Sequence, residues 1–290
     1  MATSKFQPIP ALIAASLGIG LAIAATFGVW AETWSRALGN PEDSHILMAL
    51  PIAIWLAWLR RSRLRRWSPS PSFFGPVMIG VGWLLILAGY RFAFDVFQHL
   101  GALLTVLGAA VAVLGHRLLF IFKPSVIALL FLFPVPGRFR QHVAIPLQHA
   151  SAAITEQVLV LSGVAIERTG ILLNLNGREV AVAEACNGMR MVTALGLITI
   201  AFVFSVPMRS RVRFLLLALT PLFALVVNTI RLIPTSLAYG YATEDTATIV
   251  HDVGGWAVLG FAVALLWLTL VTLRWLEIPV SPYPVQKVRT

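Results

Sequence analysis

Apolar residues dominate this chain in long runs, most of them close to the length that crosses a bilayer. About 20 apolar residues in a helix span the hydrocarbon core of a membrane, whereas shorter runs are typical of buried core helices. Short polar or charged segments separate the runs, and no sequence repeat links them. The pattern predicts eight transmembrane helices, at about 9–30, 46–59, 74–90, 100–115, 118–133, 187–206, 213–232 and 254–273.

One long segment between the fifth and sixth predicted helices, residues 134–185, departs from this pattern. It begins with a proline-rich turn and continues into residues 144–162, which are mostly apolar and could lie in the interface or pack onto the bundle. Beyond them, alternating apolar residues flank Asn176-Gly177, which is typical of a β-hairpin with a tight turn. The expected fold class is an all-α polytopic membrane protein. It forms a single integral membrane domain, residues 1–290, with a small extracytoplasmic insertion that contains the hairpin.

The composition excludes an ordinary soluble domain. The chain is 58% hydrophobic and 12% charged, whereas soluble domains are about 45–50% apolar and about 25% charged. The first apolar run is longer than the core of a signal peptide, so it is expected to remain as the first helix. The net charge of +10 comes from short clusters beside apolar runs rather than from one soluble face, so no nucleic-acid partner is expected.

Lys and Arg divide unevenly between the two predicted sides of the membrane. Cytoplasmic loops of membrane proteins carry an excess of these residues. With the N-terminus inside, most of the 22 Lys and Arg fall in inner segments, and the short outer loops carry only Arg36 and Arg91 away from helix ends. Both termini are therefore expected in the cytoplasm. The inner cations are Lys5, Arg60, Arg61, Arg63, Arg65, Arg66, Arg117, Lys123, Arg209, Arg211, Arg213, Arg274, Lys287 and Arg289.

Three polar residues share the outer side at the ends of the last three predicted helices. Cys186, the only cysteine, stands at the outer end of the sixth helix. Arg231 closes the seventh helix, which Pro234 is expected to end, and His251 opens the eighth. Their common level follows from counting cations, without reference to their chemistry.

Each of these positions suits a catalytic role. A cysteine at a helix N-terminus is close to unsatisfied backbone N–H groups and to the positive end of the helix dipole, and both favour the thiolate. Arg190 lies about one helical turn from Cys186 and would add to this effect. At a helix start, His251 would stay neutral and serve as a base, whereas Asp252 acts in the opposite direction. Arg231 would offer a fork of donors to an oxyanion or a substrate carboxylate.

Each residue also has an ordinary structural explanation. A single cysteine is most often a small buried hydrophobe. His251 alone would be an interfacial residue bonded to a loop, and Arg231 alone a snorkelling anchor. Asn228, three residues before Arg231, either packs two helices together or orients the arginine. The other histidines lie on both sides without the spacing of zinc ligands, so no metal site is expected.

At these residues the chain resembles the exosortase/archaeosortase family of polytopic membrane transpeptidases. The resemblance covers most of the chain, and the ordered set of motifs is far more specific than any one of them. Asn187 departs from the serine that more usually follows the cysteine in this family. The matching segments are Pro41-Glu42-Asp43-Ser44-His45, Phe133-Pro134-Val135-Pro136, Pro146-Leu147-Gln148, Ala185-Cys186-Asn187-Gly188-Met189-Arg190, Asn228-Thr229-Ile230-Arg231, and His251-Asp252 with Gly254 and Gly255.

The resemblance implies an enzyme of the inner, or cytoplasmic, membrane of a bacterium or archaeon, with its active site on the extracytoplasmic face. Its substrates would be membrane-anchored proteins with a C-terminal sorting tail: a recognition motif, one membrane helix and a basic cluster. The resemblance also implies that Cys186, Arg231 and His251 are the catalytic residues, and that a thioester forms on the cysteine. An amine-bearing lipid or glycan of the envelope would accept the product, and no cofactor is needed. The candidates for substrate binding or support are Glu184, Arg190, Asn228 and Asp252.

Two other functions fit the same residues. A membrane cysteine protease would let water resolve the thioester, and the sequence does not separate this outcome from transfer. A transporter or assembly factor for envelope polysaccharide would carry its polar residues at mid-depth in the membrane, as carrier sites do. The predicted position of the polar residues at helix ends on one side favours surface chemistry over transport.

Overall fold

Helices account for most of the structure, a computed structural model that describes residues 8–40, 43–134, 137–181, 188–276 and 278–280. The chain has two compact units, Met1–Pro136 and Gly137–Thr290. In the first unit the helices are Pro8–Ala25 (α1), Phe27–Gly39 (α2), His45–Leu59 (α3), Phe74–Phe92 (α4), Asp95–Leu114 (α5), Arg117–Ile121 (α6) and Lys123–Leu129 (α7).

The first predicted helix is bent in the structure. The axes of α1 and α2 differ by 73° across Thr26. The Thr26 hydroxyl donates to Ala22 O at 2.7 Å, and Trp30 Nε1 donates to the same hydroxyl at 2.9 Å. A threonine hydroxyl bonded one turn back competes with the backbone and often bends a helix, which accounts for the position of this bend.

Helices α4 and α5 form the most extensive packing of the first unit, and glycines allow them to approach closely. Gly75, Gly82 and Gly89 recur every seven residues on α4, so they line one face. A Cβ at Gly82 would lie 2.6 Å from Gly101 O, a distance that no real side chain tolerates. Small residues at helix contacts are typical of packing between membrane helices.

The second unit combines helices with a small sheet. Its helices are Gly137–Leu161 (α8), Gly188–Ser205 (α9), Ser210–Ala218 (α10), Thr220–Tyr241 (α11) and Glu244–Trp275 (α12), and its strands are Ile166–Thr169 (β1), Leu172–Leu175 (β2) and Arg178–Ala181 (β3). The apolar segment predicted within the insertion is part of α8, which packs onto α11.

The predicted β-hairpin is confirmed. Strands β2 and β3 pair antiparallel, with Leu175 opposite Arg178. Asn176 and Gly177 both have positive φ, 54° and 77°, as the tight Asn-Gly turn requires. The structure adds β1, which pairs antiparallel with β2 and was not predicted, to give a sheet of order β1-β2-β3.

The sheet is anchored to the C-terminal end of α11. Leu173, Leu175 and Val180 are buried in one apolar cluster with Leu159 of α8 and Leu232 of α11. Arg178 Nη1 donates to Tyr239 O at 3.2 Å and to Ala242 O at 3.0 Å. The last carbonyls of a helix lack partners within it, so these two bonds stabilise the end of α11.

Among the residues that the structure describes, four helices, α4, α5, α11 and α12, are long and apolar enough to cross a membrane, and the bent pair α1–α2 would add a fifth span. The shorter apolar helices at His45–Leu59, Lys123–Leu132 and Met191–Ser205 fall below that length. Eight spans are therefore not confirmed. The fifth predicted run is divided into α6, α7 and a 3₁₀ turn. Pro124 lies in the first turn of α7, where proline is tolerated, whereas in the interior of one continuous helix it would break the hydrogen-bond pattern. The extracytoplasmic position of residues 134–185 stays a prediction.

Candidate active site

The packing of α11 against α12 brings Arg231 and His251 together. Arg231 Nη2 lies 3.2 Å from His251 Nε2 and 3.5 Å from His251 Nδ1. The same Nη2 lies 3.5 Å from His251 O. A guanidinium has donors only, so a ring nitrogen that accepts from it must carry a lone pair rather than a proton. The geometry therefore suits a neutral imidazole.

The rest of the Arg231 guanidinium faces α9 and the protein interior. Nη1 lies 3.9 Å from the Met191 sulfur, a weak acceptor. Nε is buried and has no hydrogen-bond partner among the residues that the structure describes. A buried donor of this kind is costly unless a partner completes it, so Nε is available to a negatively charged group.

Glycine at position 254 makes room for the arginine side chain. A Cβ at Gly254 would lie 3.3 Å from Arg231 Cγ and 3.7 Å from Arg231 Nε. At Gly255 the nearest atom to an added Cβ would be Arg231 Nη2 at 3.9 Å, an ordinary van der Waals distance. Of the two glycines in the motif, Gly254 is the one that the arginine packing requires.

Asn228 connects the arginine helix to α8. Its Nδ2 donates to Ser151 Oγ at 2.9 Å, and both side chains are buried. Asn228 Oδ1 is also buried, with no partner among the described residues. Sequence reasoning missed Ser151 because it lies 77 positions from Asn228. The only sequence signal was a polar residue on the apolar segment of the insertion.

The predicted position of Arg231 at a helix end is wrong. Helix α11 continues through Pro234 to Tyr241, so Arg231 lies within the helix. Proline removes one backbone donor, but membrane helices tolerate it where neighbouring hydroxyls satisfy the backbone. Here the Thr235 hydroxyl donates to Arg231 O at 2.9 Å. The interaction of Arg231 with the negative end of the helix dipole is lost with this correction.

The predicted position of His251 at a helix start is wrong as well. Helix α12 begins at Glu244, and the Thr243 hydroxyl caps it by accepting from Thr246 N at 3.4 Å. His251 therefore lies two turns into the helix, beyond the reach of the dipole, which falls off within the first turn. The contact with Arg231 replaces the dipole as the structural reason for a neutral imidazole. Polar and charged residues interrupt the apolar pattern in the first turns of α12, which is why its start was predicted at about 254.

Of the remaining candidates, only the side chain of Asp252 is described by the structure. Cys186 and Glu184 lie outside the described residues, as does Asn187. Arg190 falls in the first turn of α9, and the described structure does not include its side chain. Asp252 is exposed and makes no hydrogen bond within the described part of the chain, so it does not orient His251 there. Within that same part, no group of three His, Cys, Asp or Glu could hold a metal ion.

Comparison with protein families decides the class of this chain. A profile of the family described as transmembrane exosortase matches residues 30–268. The chain belongs to the exosortase family. The match includes the segments that carry Cys186, Arg231 and His251. It also agrees with several apolar helices, so this exosortase is a multi-pass membrane protein. No curated protein and no solved structure gives a significant match.

Proposed function

We propose that this exosortase is a membrane cysteine transpeptidase that cleaves C-terminal sorting signals from exported proteins. Cys186 forms a thioester with the substrate, and an amine-bearing lipid or glycan of the envelope accepts the product. The site faces the extracytoplasmic side of the inner membrane, with both termini in the cytoplasm. The uneven division of Lys and Arg along the chain supports this orientation.

The contact between Arg231 and His251 carries the proposal. Two residues 20 positions apart on successive helices were singled out for their chemistry, and their side chains are 3.2 Å apart. A snorkelling arginine would extend toward the membrane surface, whereas this side chain packs against Met191 and Gly254. An arginine held against a histidine by packing is typical of a preorganised site.

Chain connectivity supports a place for Cys186 in the same site. Met191, which contacts Arg231, follows Cys186 by five residues. Five residues of chain span at most about 17 Å. Helix α9 begins at Gly188, so Cys186 precedes its first turn. Unsatisfied N–H groups at a helix start favour a thiolate, and Arg231 adds a positive charge.

The proposed reaction has two steps. His251, as the neutral base, takes the proton of the Cys186 thiol, the resulting thiolate attacks a peptide carbonyl carbon, and Arg231 donates to the oxyanion that forms. The C–N bond then breaks, the leaving amine takes a proton from His251, and a thioester remains. In the second step the acceptor amine attacks the thioester, passes a proton to His251 and expels the thiolate. The imidazolium of His251 then returns its proton to the thiolate, which restores the thiol and the neutral imidazole.

The supporting residues have distinct proposed roles. Asn228 positions Arg231 through its bond to Ser151. Arg190 is proposed to bind the substrate or the thiolate, and Glu184, two residues before Cys186, to bind the substrate or orient a partner. Asp252 is exposed beside His251 in sequence, which suits a contact with the substrate or the acceptor rather than with the imidazole.

Co-expression with a tailed substrate tests this function. The substrate is an exported protein from the same genome that ends in a short motif, an apolar helix and an Arg cluster. The wild type should shorten it, whereas Cys186→Ala and Cys186→Ser should not, and intact mass should show the added acceptor. A product with only a new carboxyl terminus would indicate a hydrolytic protease. Equal processing by Cys186→Ala would contradict the covalent mechanism.

A further inference from the structure

A second feature lies in the first unit, away from the proposed catalytic residues in sequence. Helix α3 ends at Leu59, and the 3₁₀ turn Arg61–Arg66 follows it with the sequence Arg-Ser-Arg-Leu-Arg-Arg. Arg61 and Arg63 are exposed. Arg60 folds back instead, and its Nη1 donates to Leu56 O at 3.0 Å. Arg60 therefore caps the end of α3, whereas Arg61 and Arg63 are exposed to the surroundings.

Tryptophan rings fix the position of Arg61. Its guanidinium carbon lies 4.2 Å from the centre of the Trp58 ring. Trp58 in turn stacks on Trp55, with ring centres 5.4 Å apart and an angle of 22° between planes. Both tryptophans are about half exposed, at 49%. Tryptophan is enriched at headgroup depth in membranes, which is also the depth of the lipid phosphates.

Other cations reach the same end of the first unit. Trp67, which follows the 3₁₀ turn, packs in an apolar cluster with Leu114 of α5 and Leu118 of α6. Arg117 is adjacent to Leu118 and is exposed. Lys123, at the start of α7, is also exposed. We refer to Arg61, Arg63, Arg117 and Lys123 together as the basic surface.

Acidic groups are segregated from the basic surface. The described carboxylates of the first unit are Glu32, Asp43 and Asp95. Asp43 precedes α3 and Asp95 begins α5, whereas the basic surface lies where those helices end. Glu32 and Asp95 are bonded to Arg36 at 2.6 and 2.7 Å. Within the described chain, no carboxylate of this unit neutralises the basic surface.

We propose that the basic surface binds the headgroups of anionic phospholipids. Exposed cations beside an apolar helix and a tryptophan stack match a lipid phosphate in charge and in depth. The chain is a multi-pass membrane protein, so anionic lipids are present at this surface at high local concentration. The inference is independent of the reaction proposed above. Arg61 supplies two adjacent donors to a phosphate, and the Trp58 ring keeps its side chain extended.

Lipid retention by the full-length protein tests this proposal. The protein would be reconstituted in nanodiscs of equal phosphatidylglycerol and phosphatidylcholine, and native mass spectrometry would count the lipids that stay bound. The wild type should retain phosphatidylglycerol in preference. Arg61→Gln should lower that preference about fivefold, and Arg61→Gln with Arg63→Gln should lower it further, as expected for the loss of each cation at an anionic surface. High salt should weaken the wild-type preference as well.

Arg91→Gln is the matched control. Arg91 is also exposed and also lies over an aromatic ring, with its guanidinium carbon 6.0 Å from the Phe92 ring centre. It lies in the last turn of α4, however, whereas the 3₁₀ turn with Arg61 and Arg63 precedes the start of that helix. This variant should retain phosphatidylglycerol as the wild type does. Equal retention by wild type and the double variant would overturn the proposal. An equal loss in Arg91→Gln would also overturn it, because net charge rather than this surface would then control retention.

Discussion

Arg231 and His251 lie side by side on neighbouring helices, with Nη2 of the arginine 3.2 Å from Nε2 of the histidine. Neither residue is held by the end of a helix, since both lie within long helices. Packing fixes the pair instead. Gly254 leaves room for the arginine stem, and Met191 meets the far side of the guanidinium.

Gly254→Ala should impair substrate processing more than Gly255→Ala. An added Cβ at Gly254 would lie 3.3 Å from Arg231 Cγ and would displace the arginine by a few tenths of an ångström. Small displacements of catalytic groups cost large factors in rate, so processing should slow about tenfold. Both variants gain the same helix propensity, so Gly255→Ala is the control in a co-expression assay. Equal rates in the two variants would show that the close fit has no catalytic role.

Ser151→Ala should destabilise the protein by about 1 kcal/mol, because it leaves the buried Asn228 amide without its acceptor. Thermal unfolding in detergent would measure the loss. Ser162→Ala is the control, since the Ser162 hydroxyl is exposed and donates only to Val158 O. If Asn228 positions Arg231, Ser151→Ala should also slow processing. Unchanged melting of Ser151→Ala would argue that water replaces the missing hydroxyl.

Arg178→Gln should loosen the C-terminal end of α11. The variant loses the bonds to Tyr239 O and Ala242 O that hold the sheet on the helix. Amide exchange over residues 238–242 should rise about fivefold, the factor that corresponds to a lost bond of about 1 kcal/mol. Arg168→Gln, on β1 of the same sheet, breaks an ion pair with Glu156 of α8 and should leave the end of α11 unchanged. A similar rise in both variants would indicate general loosening of the sheet.

The sequence was most informative where local chemistry decides structure. Asn176-Gly177 specifies its turn because few other residues accept positive φ at both positions. The bounds of α3 and α4 agree with their apolar runs within two residues. Hydropathy also located the core of α12 but not its start at Glu244, since polar and charged residues interrupt the apolar pattern in its first turns.

Features that depend on tertiary contacts could not be predicted from the sequence. Pro234 was expected to end α11, but the helix continues for seven more residues to Tyr241. Its backbone near the proline is supported by the Thr235 hydroxyl, which donates to Arg231 O. The Ser151–Asn228 bond joins residues far apart in the chain, and no local pattern marks it. The sequence predicted that Arg231 and His251 lie at the same level, but for a wrong reason. Both were placed at helix ends, whereas they meet within two adjacent helices.

The rate of alkylation of Cys186 tests the central claim most directly, because the chain has only one cysteine and the measurement needs no substrate. Reaction with iodoacetamide at pH 7 reports the thiolate, and a cation within a few ångströms raises that fraction about tenfold or more. Arg231→Gln should therefore slow alkylation about tenfold, whereas Arg168→Gln should leave it unchanged. Equal rates in the wild type and Arg231→Gln would contradict a shared site for Cys186 and the Arg231–His251 pair.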